Sequence, residues 1–417
     1  MGIIMLDRNE AASIENDIPN KNYSTDVART LQCTRWLLKS LGVWSMVKKD
    51  PKRWEIYSSK FLWVLYSGFI CFVLIPCTAN IIFKEKDPVE RAILFGPIGF
   101  CITNLLKYYS MIFHSELIKS CIEYIEADWM EIVSENDRKI MMRSVNLGID
   151  VTVVCGAFMY GGGIMYNVVL PLSQGAYTNE FNETLRPLVY PGYDLFVDSQ
   201  KSPTYNIIFY TNCISAWVTY TITTAACNLA AVFVAHTSGR IDIMVSRLDT
   251  LFDDVNETSN TVQSRLGFIV KSHVRILRLT AMIETVLREI CLVEVAASII
   301  VVCLIEFYCV QKWNDGETLG IITYVALLIS MSFNMYIFCQ FGETLKQQCS
   351  QIGKAAYMID WYRLPGKTGL TLVMIISMAN CPRQLTAGNI MELSVSNFGA
   401  IIKTSFAYLN MLRTKSY

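Results

Sequence analysis

Two carboxylates interrupt a stretch of sequence that is otherwise apolar. Glu294 and Glu306 lie within Ile290–Val310, a run long enough to cross a bilayer as a helix. A charge inside a membrane is costly, so such a residue usually pairs with an opposite charge or serves an ion path. Glu294 is the deeper of the two and is expected to pair with a cytoplasmic-side Lys or Arg, whereas Glu306 is near enough to one end to reach water. Structural pairing and ion conduction both stay open at this point.

The last apolar stretch, Leu393–Leu412, has two chemically different faces when it is drawn as a helix. At 100° per residue, one face is small and partly polar and the other is bulky and apolar. This division suits a helix that lines a narrow wet path, although small residues also permit close packing against another helix. A large apolar residue near the end of the small face can close such a path by dewetting. The predicted pore-lining residues are Asn397, Ala400, Thr404 and Ala407, with Met411 as the gate.

The residue types needed for catalysis or metal binding do not come together in the sequence. His114, His236 and His273 are far apart, and the fourteen cysteines contain no Cys-x-x-Cys pair. Gly161-Gly162-Gly163 is not followed by the Lys-Ser/Thr of a phosphate-binding loop. In a membrane helix these glycines either permit close packing or leave room for a ligand. We therefore expect no enzymatic activity, no metal and no cofactor.

The composition excludes several classes of protein. Apolar residues make up 53% of the 417 residues and charged residues only 17%, against about 25% charged in soluble domains. Thirty-six Lys and Arg balance thirty-six Asp and Glu, so no excess of positive charge favours a nucleic-acid partner. The sequence predicts an all-α, multi-pass protein in contact with membrane lipid.

Seven stretches are long and apolar enough to cross about 30 Å of hydrocarbon as helices. Gly369–Cys381 is apolar too, but its thirteen residues are too few to cross, so it is predicted to pack inside the protein. The seven predicted spans are Phe61–Phe83, Ala92–Phe113, Val151–Leu172, Tyr205–Ala235, Ile290–Val310, Leu319–Phe341 and Leu393–Leu412.

The distribution of Lys and Arg between the loops predicts the orientation of the spans. One alternate set of loops, which includes the N-terminal segment, carries 25 of these residues and the other set carries eight. Because cytoplasmic loops are rich in Lys and Arg, the N-terminus is predicted to be cytoplasmic and the C-terminus extracellular. G-protein-coupled receptors have the opposite orientation. Of the sequons at Asn22, Asn182 and Asn256, only Asn182 then lies outside and is expected to carry glycan.

The spans divide the chain into alternating membrane and cytoplasmic regions. Leu31–Val47 is expected either to lie in the membrane interface as an amphipathic helix or to pack against cytoplasmic helices. Apolar stripes between Thr237 and Thr285 predict helices that continue out of the membrane and pack as an anchoring bundle. The predicted regions are 1–60, a cytoplasmic segment with the interfacial helix; 61–236, spans one to four; 237–289, a cytoplasmic helical loop; 290–341, spans five and six; 342–388, cytoplasmic anchor helices; and 389–417, the pore-lining seventh helix with the extracellular C-terminus.

Short motifs in the C-terminal third resemble those of the insect odorant receptor family. Gly42-Val43-Trp44 near the start resembles that family's Gly-x-Trp-Pro, with Ser45 in place of proline. The terminal Thr-Tyr…Gln-Phe pattern of the related gustatory receptors is missing, and the span count and orientation match the odorant receptors. The C-terminal motifs are Cys339–Glu343, Ala355–Tyr357, Trp361–Pro365, Leu385–Gly388, Phe398, Ile401–Lys403 and Ser405–Tyr408.

The resemblance implies a subunit of an odorant-gated, non-selective cation channel in the plasma membrane of an olfactory neuron dendrite. Such channels are tetramers with a common co-receptor subunit, whose second cytoplasmic loop is longer than the loop of about fifty residues found here. The chain therefore resembles the ligand-tuning subunit, and Met411 aligns with the family's hydrophobic constriction. A gustatory-type channel subunit and a metabotropic seven-helix receptor are the alternatives, and the loop charges contradict the second.

The resemblance also implies where a small volatile organic ligand binds. In this family the pocket lies in the outer half of the membrane, among spans two, three, four and six. A site for an apolar odorant should be concave and mostly aliphatic and aromatic, although any one such residue can equally be ordinary core. The residues at the outer ends of these spans are Phe95, Phe100, Tyr160, Ile164, Tyr205, Phe209, Asn212, Ile321, Tyr324 and Leu328.

Overall fold

A long helix covers all or most of each of the seven stretches predicted to cross the membrane. The computed structural model describes residues 20–86, 88–178, 184–252, 259–315, 318–364, 368–381 and 383–415. The predicted all-α architecture with seven long helices is confirmed. These helices are α4 (Arg53–Ala79), α5 (Pro88–Phe113), α7 (Glu135–Ile164), α9 (Thr204–Asp249), α10 (Ser259–Asp315), α11 (Thr318–Met358) and α13 (Val395–Lys415).

Shorter elements connect and flank the long helices. The short helices are α1 (Tyr23–Thr30), α2 (Gln32–Ser40), α3 (Trp44–Val47), α6 (Ser115–Met130), α8 (Leu170–Gln174) and α12 (Gly369–Ala379). The π-helical segments Asn80–Lys84 and Met165–Val169 continue α4 and α7, and 3-10 turns occupy Tyr193–Leu195 and Trp361–Arg363. Two antiparallel pairs join β1 (Tyr177–Thr178) to β2 (Thr184–Leu185) and β3 (Thr386–Ala387) to β4 (Met391–Glu392).

Three of the helices are much longer than a bilayer is thick. At 1.5 Å per residue, α9, α10 and α11 measure about 69, 86 and 62 Å, so they extend beyond any membrane that they cross. Among the described residues, five helical segments are both long and apolar enough to span a membrane, and α5 and α13 complete the set of seven. The five are Arg53–Lys84, Glu135–Ser173, Thr204–Asp249, Val262–Cys309 and Thr318–Met358.

Helix α9 lies at the centre of the bundle. Its most apolar stretch is wholly buried inside the protein. Small residues permit this position, because Ala226 and Ala230 let neighbouring helices approach closely and Gly148 of α7 packs against the Ala231 backbone and the Ala235 side chain. A central, fully enclosed helix positions the helices around it relative to one another.

Residues Leu31–Val47 bury their apolar side chains in this bundle. Leu31, Leu38 and Val43 are fully buried, and the Thr34 hydroxyl lies 2.7 Å from Oδ1 of Asn228 in α9. Trp36 is exposed and faces away from this contact. The segment therefore packs against protein through one face and leaves an aromatic side chain on the other.

Helix α12 is only partly enclosed, although the sequence predicts a helix packed inside the protein. Leu372 and Ile375 are buried, and Ala379 packs against Gly353 of α11. Val373 and Met374 on the other face are exposed. The neighbouring helices α11 and α10 therefore cover only one face of this apolar helix.

The β3–β4 hairpin sets the start of α13. Its turn contains Gly388, which has φ +62° and lies against the Leu292 side chain, so a side chain at this position would be both strained and obstructed. After the hairpin, Leu393 is buried against Gly342 and the Ser394 hydroxyl accepts a hydrogen bond from the Asn397 amide. Ser394 thus acts as the N-cap of α13, and the helix begins two residues after the predicted start of the seventh span.

Candidate functional site

A cavity lined mainly by aromatic and aliphatic side chains lies inside the bundle; we refer to it as the aromatic cavity. It encloses about 590 Å³ of space free of protein atoms, including its mouth. A mostly apolar wall with a few polar groups is typical of sites that hold small organic molecules. Its lining residues are Gly96, Pro97 and Phe100 of α5; Tyr166 of the π-helical segment after α7; Tyr190 of the segment before α9; Tyr220 of α9; Val301, Leu304, Ile305 and Tyr308 of α10; and Tyr324, Leu327 and Met331 of α11.

Two of the tyrosines in the cavity wall are fixed by one buried amide. Tyr190 donates a hydrogen bond to Oδ1 of Asn167 at 2.9 Å, and Nδ2 of Asn167 donates to the Tyr220 hydroxyl at 2.8 Å. Gly163 leaves room for the Tyr220 ring, because a methyl group at that position would overlap it. Gly162 similarly packs against Ser330 of α11. These two glycines therefore serve close packing, and Gly163 also sets the position of a ring in the cavity wall.

Phe100 and Tyr324 are the two predicted ligand-binding residues that line the aromatic cavity. Tyr324 stacks on Tyr308, with ring centroids 5.1 Å apart. Leu328 packs against the cluster that forms the α10–α11 side of the wall. Tyr160 lies behind Tyr220, with ring centroids 6.2 Å apart, and is one layer removed from the cavity.

The other predicted ligand-binding residues lie outside the lining of this cavity. Tyr205 and Phe209 stack on each other near Arg186, and Asn212 accepts a hydrogen bond from Tyr193 at 2.6 Å. More than half of the surface of each of Phe95 and Ile164 is exposed, and Ile321 is half-buried. Helical rotation separates these residues from Phe100 and Tyr324, since neighbouring positions on one helix point in different directions.

Several lining residues could not be found from span ends alone. Helix α10 contributes four residues to the cavity, although the sequence predicts a site among spans two, three, four and six. Tyr190 comes from the segment before α9 and Tyr166 from the π-helical end of α7. The density of tyrosine at the outer ends of several spans is the one sequence signal that points to them.

A second, polar space, which we call the inner chamber, adjoins the aromatic cavity. It encloses about 320 Å³ and shares Phe100, Val301 and Met331 with the aromatic cavity, so these three side chains form the boundary between the two spaces. Its other lining residues are Thr103, Lys107, Thr223, Glu294, Ala297, Ser298 and Asn334.

The partner of Glu294 is an intramembrane lysine rather than a residue from the cytoplasmic side. Glu294 of α10 forms an ion pair with Lys107 of α5, and both side chains are at least 95% buried. Nδ2 of Asn334 donates to Oε1 of Glu294 at 2.5 Å, and the Ser298 hydroxyl donates to the same oxygen at 3.4 Å. These contacts satisfy the carboxylate, which favours the structural role over an ion path.

Glu306 does not reach water, contrary to the expectation from its position near the end of the span. It is 4% exposed, and the Ser405 hydroxyl of α13 donates a hydrogen bond to its Oε1 at 3.0 Å. Helix α10 thus contacts the aromatic cavity through Leu304, Ile305 and Tyr308 and the last helix through Glu306.

The predicted pore face of α13 is largely uncovered by the rest of the chain. Ala400, Thr404 and Ala407 are exposed. Asn397 is half-buried, and its Nδ2 donates to the Glu392 carbonyl at 2.7 Å, so this amide holds the start of the helix. Met411 belongs to α13, but its side chain lies outside the described part of the structure.

A buried charge cluster joins α6, α9 and α10, and we call it the Asp128 cluster. Nε2 of His236 lies 2.9 Å from Oδ2 of Asp128, Nε of Arg275 lies 2.5 Å from Oδ1, and Nε of Arg240 lies 3.7 Å from Oδ2. Arg275 also donates to the Tyr124 carbonyl at 3.2 Å. Burial acts to raise the pKa of Asp128, but the hydrogen bond from His236 and the surrounding positive charges outweigh it and lower the pKa below its usual value.

The sequence alone did not identify the Asp128 cluster. The sequence feature that could have revealed it is an aspartate within an apolar helical stripe. That stripe includes Ile118, Ile125 and Trp129, all of which are buried. His236 belongs to this ion-pair network, and within the described ranges no group of three or more His, Cys, Asp or Glu side chains could hold a metal. The sequons at Asn182 and Asn256 lie outside the described residues.

The fold and the cavity define a class of protein: a multi-pass helical membrane protein with an aromatic cavity inside its bundle. The model of the 7tm odorant receptor family matches residues 94–406, which is most of the chain. The chain belongs to this family, and the resemblance in its C-terminal third is confirmed and extended.

Curated relatives and solved structures agree with this assignment. Odorant receptor 13a of Drosophila melanogaster is 25% identical over 259 residues, which cover 55% of this chain and 61% of that receptor. Odorant receptor 10 of Aedes albopictus is 23% identical over 221 residues, which cover 52% of this chain and 57% of that receptor. The chain thus spans less than two thirds of the length of these relatives. The insect olfactory receptor OR5 from Machilis hrabei in complex with eugenol has the same fold, with a TM-score of 0.76 and 16% identity over 94% of this chain and 100% of that one.

Proposed function

We propose that this chain is an odorant receptor subunit, in which a small apolar ligand bound in the aromatic cavity opens a cation channel. The observation that carries the proposal is the cavity itself, which is enclosed by membrane helices and lined by tyrosine, leucine and isoleucine. Such a lining suits a volatile molecule with few polar atoms. Family membership supports the proposal, and so does the eugenol complex of Machilis hrabei OR5, a protein of the same fold.

Helix α10 is the connection that we propose between the ligand and the channel. A ligand in the aromatic cavity contacts Leu304, Ile305 and Tyr308, and the same turn of α10 binds α13 through Glu306 and Ser405. A shift of α10 on ligand binding therefore moves the last helix. The exposed small residues Ala400, Thr404 and Ala407 suit a wet path, and we propose Met411 as its hydrophobic gate.

We further propose that the channel is a heterotetramer with the family's co-receptor in the plasma membrane of olfactory neuron dendrites. The chain alone should give little odorant-evoked current, and co-expression with the co-receptor should give robust currents to part of an odorant panel. Panel recordings from cells with one subunit or both would test this. Full odorant responses from this chain by itself would contradict the need for a partner, and no response from the assembled pair would contradict the function.

Tyr324→Ala should shift the rank order of odorant potencies by several-fold for individual ligands. Tyr324 is half-buried and forms part of the cavity wall by stacking on Tyr308, so its removal enlarges the site. Concentration–response curves of co-expressed subunits would measure the shift. Phe209→Ala is the matched control, because Phe209 lies outside the cavity lining, and its rank order should stay that of the wild type. Equal effects of both variants would remove the aromatic cavity from ligand recognition.

Glycan mapping should detect a glycan at Asn182 and none at Asn22. The excess of Lys and Arg supports a cytoplasmic position for the Asn22 side of the membrane, where glycosylation does not occur. Asn22 is an exposed residue just before α1, so a missing glycan there reflects the side of the membrane and not burial. Gel shifts on glycosidase treatment of Asn22→Gln and Asn182→Gln variants would give the result. A glycan at Asn22 would reverse the proposed orientation.

A further inference from the structure

The inner chamber contains a buried cation with unused hydrogen-bond donors. Lys107 is 2% exposed, and an ammonium group has three N–H donors. Within the described part of the chain, Glu294 is its one hydrogen-bond acceptor. The remaining donors belong to a side chain that lines a space of about 320 Å³.

The acceptor side of the same ion pair is already occupied. Oε2 of Glu294 faces Lys107, and Oε1 accepts from both Asn334 and Ser298. The Thr223 hydroxyl, also in the chamber wall, donates to Oδ1 of Asn104 at 2.7 Å. Among the described residues, the donors left over in the chamber wall are therefore those of the Lys107 ammonium group, and they suit a group that accepts hydrogen bonds.

The charges of the Lys107–Glu294 pair favour a neutral group as the occupant of the inner chamber. Lys107 and Glu294 together carry no net charge, and a carboxylate in the chamber would add an uncompensated negative charge within the membrane region. A carbonyl oxygen accepts hydrogen bonds without that cost. The boundary residues Phe100, Val301 and Met331 are shared with the aromatic cavity, so a group in the chamber lies directly beside the contents of that cavity.

We propose that the inner chamber binds the carbonyl oxygen of a neutral odorant, a ketone, aldehyde or ester, whose apolar body lies in the aromatic cavity. This inference rests on the proposed function and names the ligand class of the same site. Phe100 and Lys107 are seven residues apart on α5, about 10 Å along the helix axis. The ligand is therefore an elongated molecule with its carbonyl group near one end.

The test compares ketones with alkanes of the same number of heavy atoms, for example 2-octanone with n-nonane, over a range of chain lengths. In the assembled wild-type channel, half-maximal concentrations should be lower for the ketones. We call the ratio of the alkane value to the ketone value the ketone preference. The Lys107→Met/Glu294→Gln double variant removes both charges and leaves neither one unpaired. It should reduce the ketone preference about tenfold or more, the size expected for a hydrogen bond from a charged donor, and change the alkane responses little.

Two further variants keep the test decisive. Lys49→Met/Glu126→Gln removes a more exposed pair, 3.1 Å apart and outside both spaces, and should leave the ketone preference unchanged. Ala297→Leu fills the inner chamber while the ion pair stays intact, and should weaken ketone responses more than alkane responses. This variant decides the question if the charge-removing variant does not reach the cell surface.

The outcomes separate the ligand class from the function itself. A wild-type channel that responds to other odorants but shows no ketone preference would overturn the inference and leave the proposed function intact. Equal losses for ketones and alkanes in both inner-chamber variants would also overturn it, because they indicate a purely structural ion pair. An assembled channel that responds to no odorant would overturn the proposed function, and the inference with it.

Discussion

The Asp128→Asn variant should lose about 3–5 kcal/mol of stability, the usual cost of removing one partner from a buried ion pair. Asp128 is 1% exposed, and three cationic or protonatable side chains surround it, namely His236, Arg240 and Arg275. Without the carboxylate, the guanidinium groups of Arg240 and Arg275 lose their closest negative charge in a largely buried site. Because these three residues belong to α9 and α10, the change loosens the contacts of α6 with both helices.

Thermal unfolding of the assembled receptor in detergent would measure the loss, together with its amount at the cell surface. Glu131→Gln is the matched control, because Glu131 faces the same Arg240 at 3.9 Å but its side chain is 45% exposed. It should change stability by less than about 1 kcal/mol. Similar unfolding temperatures for the two variants would contradict the role of the Asp128 cluster.

The pH dependence of this contribution follows from the direction of the pKa shift. The native pKa of Asp128 lies below its usual value, so its carboxylate stabilises the fold at neutral pH. That contribution is lost as the pH falls through the native pKa. Acidification should therefore destabilise the wild type more than Asp128→Asn.

The Ser405→Ala variant should raise the half-maximal odorant concentration roughly tenfold and lower the maximal current. Ser405 is the one described side chain that donates a hydrogen bond to Glu306, which is 4% exposed. A buried carboxylate without its donor costs about 1–3 kcal/mol, and this cost falls on the contact that joins α10 to α13. The aromatic cavity itself is unchanged, so ligand rank order should stay the same.

Concentration–response curves with the co-receptor would measure this effect, and two variants would interpret it. Ser396→Ala removes an exposed hydroxyl from the same helix and should behave like the wild type. Glu306→Leu/Ser405→Ala replaces both partners by apolar groups and should recover stability, because neither side is left unsatisfied. Normal gating in Ser405→Ala at normal surface amounts would exclude this contact from the path between ligand and channel.

The number and positions of the membrane helices could be read from the sequence because hydropathy is a local property. A run of about 20 apolar residues has few alternatives to a membrane helix. Each predicted span overlaps a long helix for most of its length: the first and third continue into π-helical segments, and the seventh starts two residues before its helix. The continuation of α9, α10 and α11 beyond the bilayer followed from apolar periodicity in the same way. The C-terminal motifs were sufficient to indicate the family.

The composition of the candidate site could be predicted only in part, because it depends on the rotation of each helix. Phe100 and Phe95 are on the same helix and equally apolar, yet only Phe100 lines the cavity. Which of them faces inward depends on how α5 packs against α9 and α10. Tyr190 was missed for a related reason, since a residue between two spans lines the cavity only where the chain folds back against the bundle, and there its hydroxyl donates to Asn167.

The sequence by itself indicated a membrane protein of the odorant receptor family with seven long helices, and it singled out Glu294 and Glu306 as charges inside an apolar stretch. The tertiary structure alone decided which partners they have. Lys107 and Glu294 are 187 residues apart in sequence, and Ser405 and Glu306 are 99 apart. Hydropathy and motif spacing depend on neighbours along the chain, whereas these pairs form only where packed helices bring distant residues together. The inner chamber and the connection from cavity to last helix are therefore properties of helix packing.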